Sequence, residues 1–155
     1  NWRSLYGQGG YFGYEITRQN SVLPDPSFNG WYAQASWILT GESKIYHPER
    51  GAYGNPSPSD PFSLDHTGLG AWELAARYSD LDLNYEAGLA GAAAPAAAIR
   101  GGDQRIWTLG LNWYANTAIK FQLDYQHIDV SRLSATGGDL GAKLDAVSLR
   151  TQLSL

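Results

Sequence analysis

The sequence contains no cysteine and no methionine, and it has no long hydrophobic run. Without cysteine, neither a disulfide framework nor a thiolate metal site can form. A membrane-spanning helix needs about 18 or more consecutive apolar residues. The richest stretch, residues 88–99, is alanine and glycine interrupted by Pro95. A helical membrane protein is therefore excluded.

Basic residues are also scarce, since 11 Lys and Arg stand against 15 Asp and Glu, for a formal net charge of -4. Nucleic-acid binding usually requires a basic face, so we expect no nucleic-acid partner. The histidines show no ligand spacing, and no catalytic triad is legible. We therefore expect a protein that is not an enzyme and that has no catalytic residues, no metal and no cofactor.

The chain also opens at Asn1 without a signal peptide. For an exported protein, this start predicts a processed product or a fragment.

Aromatic residues and glycine are abundant, with 6 Trp, 10 Tyr and 18 Gly beside only 4 Phe. Tryptophan and tyrosine combine an apolar ring with a polar tip, so they favour a boundary between hydrocarbon and water. The composition therefore favours a protein with rings at such a boundary over one with a dry aromatic core.

Apolar and polar side chains alternate with a period of two in several segments. Between Trp107 and Tyr114, the odd positions hold Trp, Leu, Leu and Trp, and the even positions hold Thr, Gly, Asn and Tyr. Similar alternation starts near residues 31, 72, 119 and 147, and less regularly within 5–17. A period of two predicts strands with one apolar face. We predict an all-β protein with six antiparallel strands.

Alternation alone fits two architectures. In a soluble or secreted β-sandwich, such as a carbohydrate-binding module, the apolar faces form a core. In a transmembrane β-barrel, they face lipid and the polar faces surround water. Aromatic pairs six residues apart on one face favour the barrel, because six residues climb roughly 15 Å and place rings near both membrane interfaces. The pairs predicted to form this lipid-facing girdle are Trp31 and Trp37, Trp72 and Tyr78, and Trp107 and Trp113.

The connections are unequal in length, as they are in outer-membrane barrels. A tight turn near Asn116 contrasts with long segments at 84–103 and 132–144, which we predict to be extracellular loops. The segment 43–70 is then a long periplasmic connection that holds four of the seven prolines. Two interpretations stay open for it, a solvated proline-rich loop or a segment that folds back into the lumen.

A pore needs a wet path and a field along its wall, and no catalytic group. Arg77 and Arg150 are the strongest candidates for anion contacts, because a guanidinium matches the oxygens of phosphate and carboxylate. Pairing of both arginines with wall carboxylates is the alternative. The polar faces supply the whole set of candidates for the ion pathway, which is Arg77, Arg150, Lys120, Glu73, Asp124, Glu42, Asn112 and Gln122.

Several stretches resemble the phosphate-selective porin O and P family. They are residues 35–42 (ASWILTGE), 70–79 (GAWELAARYS), 109–114 (LGLNWY) and 147–152 (VSLRTQ). The resemblance implies a bacterial outer-membrane barrel of about sixteen strands, a homotrimer in contact with membrane lipid, through which small hydrophilic solutes or anions diffuse. Residues 1–155 would be the C-terminal part of this one domain, and the missing N-terminal strands or other copies of the chain would close it.

The charge balance departs from the family's name. Phosphate selectivity implies a strongly cationic constriction, whereas this chain has only three lysines and an acidic excess. A general or weakly anion-preferring pore is therefore expected from the visible residues.

Overall fold

The computed structural model of the chain describes residues 3–19, 21–65 and 68–154. Six long strands form one antiparallel sheet, and two strands of two residues each form a separate hairpin. The strands are β1 (Leu5–Glu15), β2 (Ser27–Ile38), β3 (Tyr46–His47), β4 (Ala52–Tyr53), β5 (Ala71–Tyr85), β6 (Ile99–Tyr114), β7 (Ile119–Ser131) and β8 (Ala142–Leu153). The prediction of an all-β, antiparallel fold is confirmed.

The order of strands in the large sheet is β1-β2-β5-β6-β7-β8, so its six strands pair in the order in which they follow one another along the chain, with the hairpin of β3 and β4 lying between β2 and β5. Connections 16–26, 86–98 and 132–141 lie at one end of the sheet, and connections 39–70 and 115–118 lie at the other. Strand pairing continues past a register irregularity between Asp82 and Asn84, which leaves a shorter loop than the expected 84–103. Within the described residues the sheet does not close into a barrel, because β1 and β8 are its two edges.

Within the described ranges, no helix has the length and apolar character needed to cross a membrane. The last residue, Leu155, which the alternation assigns to the apolar face of the final strand, lies outside those ranges. His66 and Thr67, within the long connection, lie outside them as well.

The strand register keeps each side-chain type on one face of the sheet. Cα partners across β5 to β8 form a purely apolar row of Leu74, Leu111, Leu123 and Leu149. The adjacent row, on the opposite face, holds Glu73, Asn112, Gln122 and Arg150. Alternation in the sequence thus becomes two chemically distinct surfaces, because successive side chains of a strand point to opposite faces.

Burial in this sheet is the reverse of burial in a soluble one. Leu109, on the apolar face of the interior strand β6, is 56% exposed, whereas Glu73 on the polar face is 1% exposed. A soluble sheet hides its leucines and leaves its carboxylates in water, since an unpaired buried charge is costly. The small enclosed region of this structure lies on the polar side, where the connection 39–70 packs against the sheet.

Aromatic rings on the apolar face lie in two rows. In the first row, the ring centroid of Tyr78 is 5.1 Å from that of Trp31 and 4.6 Å from that of Trp107. The second row stacks Trp113 between Trp72 and Phe121, at 5.7 and 5.4 Å. Leucines and alanines occupy the strip between the rows.

Trp37 departs from this arrangement. Its Cα partner is Leu74, one step inside the second row. Trp37 therefore belongs to the edge of the aliphatic strip, although it too is on the apolar face.

Candidate functional site

The polar face contains a concavity of about 280 Å³. It lies above a row of small residues, because Ser36, Ala75 and Gly110 are successive Cα partners on β2, β5 and β6. An added Cβ at Gly110 would lie 2.7 Å from Oδ1 of Asp124, so this position has no room for a larger residue unless that carboxylate moves. The small row thus creates space between larger polar side chains.

Arg77 lines one side of this concavity. Its Nη1 donates a hydrogen bond to Oε1 of Gln34 at 2.7 Å, and its guanidinium lies 4.2 Å from the ring centroid of Tyr32. Gln34 in turn donates to Gln8 at 3.2 Å. Among the residues that the structure describes, no carboxylate forms an ion pair with Arg77. Its positive charge is therefore positioned by neutral groups and not neutralised.

Glu73 is the most buried carboxylate in the described chain and is surrounded by donors. The hydroxyl of Tyr114 donates to Oε2 at 2.6 Å, and Nδ2 of Asn112 donates to the same oxygen at 3.1 Å. Nζ of Lys44 lies 2.5 Å from Oε1. Hydrogen bonds and an ion pair together offset the cost of burying this charge.

Lys44 comes from the connection 39–70 and not from a strand. Its ammonium donates to Oγ of Ser36 at 3.3 Å and lies 5.0 Å from the ring centroid of Tyr6. It thus contacts β1, β2 and β5 at once. Sequence reasoning did not select Lys44, because one lysine in a proline-rich segment has no periodic signal.

The hairpin of β3 and β4 also packs on the polar side of the sheet, whereas the ring of Phe62 lies 5.4 Å from that of Trp113 on the apolar face. The ring of Tyr53, on β4, lies 4.9 Å from that of Tyr6. Pro56 and Pro58 are buried. The amide of Phe62 donates to the carbonyl of Ala115 at 2.7 Å, which ties the segment to the neighbouring turn.

The connection leads into the first residue of β5 through Gly70, whose backbone conformation is constrained. Gly70 has a φ of 66°, and an added Cβ there would collide with the carbonyl oxygen of Tyr114. Only glycine adopts this conformation at so close an approach without strain.

Lys120, Gln122 and Asp124 line the far side of the concavity, on β7. Nζ of Lys120 lies 5.0 Å from the ring centroid of Tyr114, a cation–π distance. Nε2 of Gln122 donates to Oδ2 of Asp124 at 2.7 Å. Arg150, the Cα partner of Gln122 on β8, is exposed and does not line the concavity.

Glu42 is apart from the other candidates, in the connection just after β2. Its Oε1 accepts a hydrogen bond from the amide of Ser59 at 3.0 Å, and its Oε2 accepts one from the hydroxyl of Thr40. Partial burial acts to raise the pKa of Glu42, but these hydrogen bonds outweigh it and hold the pKa below the ordinary value. Glu42 thus fastens one part of the connection to another.

The opposite end of the sheet has its own buried basic residue, Arg100, which sequence reasoning also missed. Its guanidinium donates to five loop carbonyls, at distances of 2.5 to 3.5 Å. These carbonyls belong to both long loops at this end, and they are those of Ala87, Leu89, Ala92, Ser134 and Ala135. A single side chain therefore joins the loops 86–98 and 132–141.

Carboxylates elsewhere have ordinary partners. Asp80 pairs with Arg105 at 3.3 Å, and Oδ1 of Asp82 accepts a hydrogen bond from the amide of Asn84 at 2.8 Å. In the described part of the chain, no group of three or more His, Asp or Glu side chains is placed to hold a metal ion.

Comparison with known proteins agrees with this architecture. The sequence profile of the family "Phosphate-selective porin O and P" matches residues 3–155. The chain is 27% identical over 134 residues to Porin O of Pseudomonas aeruginosa, an alignment that covers 85% of this chain and 28% of that protein. It is 30% identical over 129 residues to an uncharacterized protein of Caulobacter vibrioides, covering 83% of this chain and 23% of that protein.

The chain thus spans about a quarter of the length of these two relatives. The profile match, by contrast, extends over nearly all of the chain. The chain belongs to the phosphate-selective porin O and P family.

Proposed function

We propose that this chain forms part of the wall of a bacterial outer-membrane porin, through which small hydrophilic solutes diffuse passively with a preference for anions. The inverted burial of the sheet is the observation that carries the proposal. A surface of exposed leucine between two aromatic rows matches the lipid-facing band of a transmembrane barrel. The opposite surface, with its charged groups and concavity, would then face the aqueous lumen.

The charges on the polar face favour anions. Glu73 is paired with Lys44, so its negative charge is compensated where it stands. Arg77 and Lys120 line the concavity, where Arg77 is hydrogen-bonded to the neutral Gln34 and Lys120 lies over the ring of Tyr114. Among the described residues, the carboxylates that line it are Glu73, which is paired with Lys44, and Asp124. Cations that remain uncompensated at a constriction raise the local concentration of anions.

The proposal includes the assembly that a barrel requires. Six strands are fewer than the eight of the smallest such barrels, so further strands or other copies of the chain would complete the wall. A homotrimer embedded in outer-membrane lipid is the arrangement we propose. In this scheme the wall selects solutes by width and charge, and no residue has a catalytic role.

Reversal potentials of the full-length protein in planar bilayers, measured across a KCl gradient, test the anion preference. Substituting Arg77→Gln or Lys120→Gln should lower the permeability ratio of anion to cation by on the order of twofold, because each removes one positive charge from the wall. Addition of phosphate on one side distinguishes a phosphate preference from a general anion preference.

Arg105→Gln is the matched control. Arg105 lies on the apolar face of the sheet, 58% exposed and paired with Asp80. Its removal changes the total charge by the same amount and should leave the reversal potential unchanged. Equal shifts in all three variants would contradict the assignment of the two faces.

A soluble carbohydrate-binding module is the alternative class of protein. It requires the apolar faces to be enclosed in a core, and the exposure of Leu74, Leu123 and Leu149 gives it no support. Detergent separates the two classes, since such a module stays monodisperse in plain buffer and a lipid-facing wall does not.

A further inference from the structure

The strongest unexplained feature of the site is that its most buried carboxylate is neutralised from outside the sheet. The Cα partners of Glu73 on the neighbouring strands, Ile38 and Asn112, are uncharged, and Arg77 lies four positions along the same strand, about 13 Å away. Arg77 is instead bonded to Gln34. The cation that reaches Glu73 is Lys44, which lies in the connection 39–70.

This ion pair is well shielded from solvent. The side chain of Lys44 is 16% exposed and that of Glu73 is 1% exposed. Breaking a buried pair by removing one partner is strongly destabilising, because the other charge remains without compensation. The pair therefore strongly favours the docked position of the connection, whereas the exposed contact of His47 with Glu49 lies within the connection and does not join it to the sheet.

The pair also lies at the concavity. Lys44, Tyr53 and Asn55 of the connection line it together with the side chains of the sheet. A connection released from Glu73 would uncover this part of the polar face. The same event would leave an uncompensated carboxylate beside the path of the solute.

We propose that Lys44 is a selectivity-determining residue, which by pairing with Glu73 fixes the connection across the polar face and removes the negative charge of that carboxylate from the pathway. The pair would thus set both the width and the charge of the pore at this level. The inference rests on the proposed function, because width and charge have this meaning only if the polar face lines a lumen.

Recordings in planar bilayers separate the effect of the pair on pore width from its effect on pore charge. Four forms of the full-length protein are compared: the wild type, Lys44→Gln, Glu73→Gln and the double variant. Glutamine at position 73 can still accept the hydrogen bonds of Tyr114 and Asn112, so the exchange removes mainly the charge. Both single variants should raise the single-channel conductance, on the order of twofold, because each releases the connection. Their reversal potentials should shift in opposite directions, toward cations for Lys44→Gln and toward anions for Glu73→Gln.

The double variant should show no further rise in conductance, since the pair can be broken only once. Its reversal potential should return toward that of the wild type.

Two further variants are controls. Lys44→Arg keeps the positive charge, so its conductance should lie closer to that of the wild type than to that of Lys44→Gln. Lys120→Gln, which removes a wall cation without a role in holding the connection, should shift the reversal potential toward cations without raising the conductance.

Three outcomes overturn the proposal. Opposite shifts in reversal potential at unchanged conductance would mean that the two charges act independently. Additive rises in conductance in the double variant would likewise mean that the two charges act independently. A conductance of Lys120→Gln as high as that of Lys44→Gln would mean that the rise does not come from release of the connection.

Expression problems would not remove the test. If Glu73→Gln does not reach the membrane, Lys44→Gln and Lys44→Arg decide, because Lys44 lies outside the strands. A wild-type protein without any channel activity would refute the proposed function itself.

Discussion

Individual side chains in this protein obey a solvent rule that depends on which face of the sheet they occupy. On the polar face, Glu73 is buried and yet satisfied, because Tyr114, Asn112 and Lys44 surround both of its oxygens. On the apolar face, Leu149 is exposed although it has no polar group to interact with water. Both observations fit a molecule whose outer solvent is hydrocarbon.

Substitution by arginine distinguishes the two faces. We expect Leu149→Arg to lower the free energy of unfolding by about 2–4 kcal/mol, the cost of placing a cation near the bilayer midplane. Gln152→Arg, on the same strand and the opposite face, should cost much less, because the side chain would enter water and meet only the like charge of its Cα partner Lys120. Denaturant unfolding in lipid vesicles measures both.

Asn112 would be a poor control for this comparison. It is on the polar face, but it is 6% exposed and donates a hydrogen bond to Glu73. Equal costs at Leu149 and Gln152 would contradict the assignment of the faces.

At the scale of elements, the connections depend on a few charged side chains for their conformation. Arg100→Met should loosen the contact between the loops 86–98 and 132–141, because it removes all the hydrogen bonds that a single guanidinium donates to their carbonyls and leaves the backbone hydrogen bonds of Gly91 with Gly137 and of Ala94 with Ala135. Hydrogen bonds from charged groups contribute about 1.5–3 kcal/mol. Elastase, which cleaves after alanine, should then cut the alanine-rich loop 86–98 faster.

Arg105→Met is the control for this experiment. Arg105 is on the same strand but exposed, and it contacts carboxylates instead of loop carbonyls. Unchanged cleavage of the Arg100→Met protein would show that the loops hold together without this residue.

The docking of residues near Ser59 should depend on pH. The pKa of Glu42 is held below its ordinary value of 4.5, so the folded chain favours the ionised form. This contribution is complete above the ordinary pKa and is lost as the pH falls through the lowered one. The NMR shift of the Ser59 amide in detergent micelles should therefore titrate with a midpoint below 4.5.

Glu42→Gln removes the titrating group and should abolish that transition. A midpoint at or above 4.5 in the unmodified protein would mean that the hydrogen bond from Ser59 does not stabilise the carboxylate.

The sequence predicted the strands well but not the contacts that their connections make, for a physical reason. Alternation is a local signal, so the faces of β5 and β6 could be assigned from residues 72–79 and 107–114 alone. The contact of Lys44 with Glu73 depends on how a segment without periodicity folds back over 29 positions, which no local pattern records. Arg100 is missed for the same reason, since its partners lie on two separate loops.

For the candidate residues of the ion pathway, the sequence predicted part of the arrangement and missed part of it. Their common face follows from the period of two, but their partners follow from the register. Gln34 could be recognised as the partner of Arg77 only once β2 and β5 were aligned. The transport roles of these residues stay predictions.

For the molecule as a whole, the two aromatic rows should mark two depths in a bilayer. In variants that retain only Trp107 or only Trp113, we expect quenching by a nitroxide near the lipid headgroup to exceed quenching by one deep in the acyl chain. The reverse order should hold when the only tryptophan is placed at Leu111, between the rows. Equal quenching by shallow and deep probes at all three positions would contradict a membrane-spanning orientation.

The neighbour-to-neighbour order of the strands has a consequence for how the sheet arises. No strand in the order β1-β2-β5-β6-β7-β8 waits for a distant partner, so pairing can spread hairpin by hairpin from either margin. The short loops close at a small entropic cost, and the long connection 39–70 adds a larger one where β2 pairs with β5. The register within these six strands is accordingly an internal property of the segment. It does not depend on how many further strands pair beside β1.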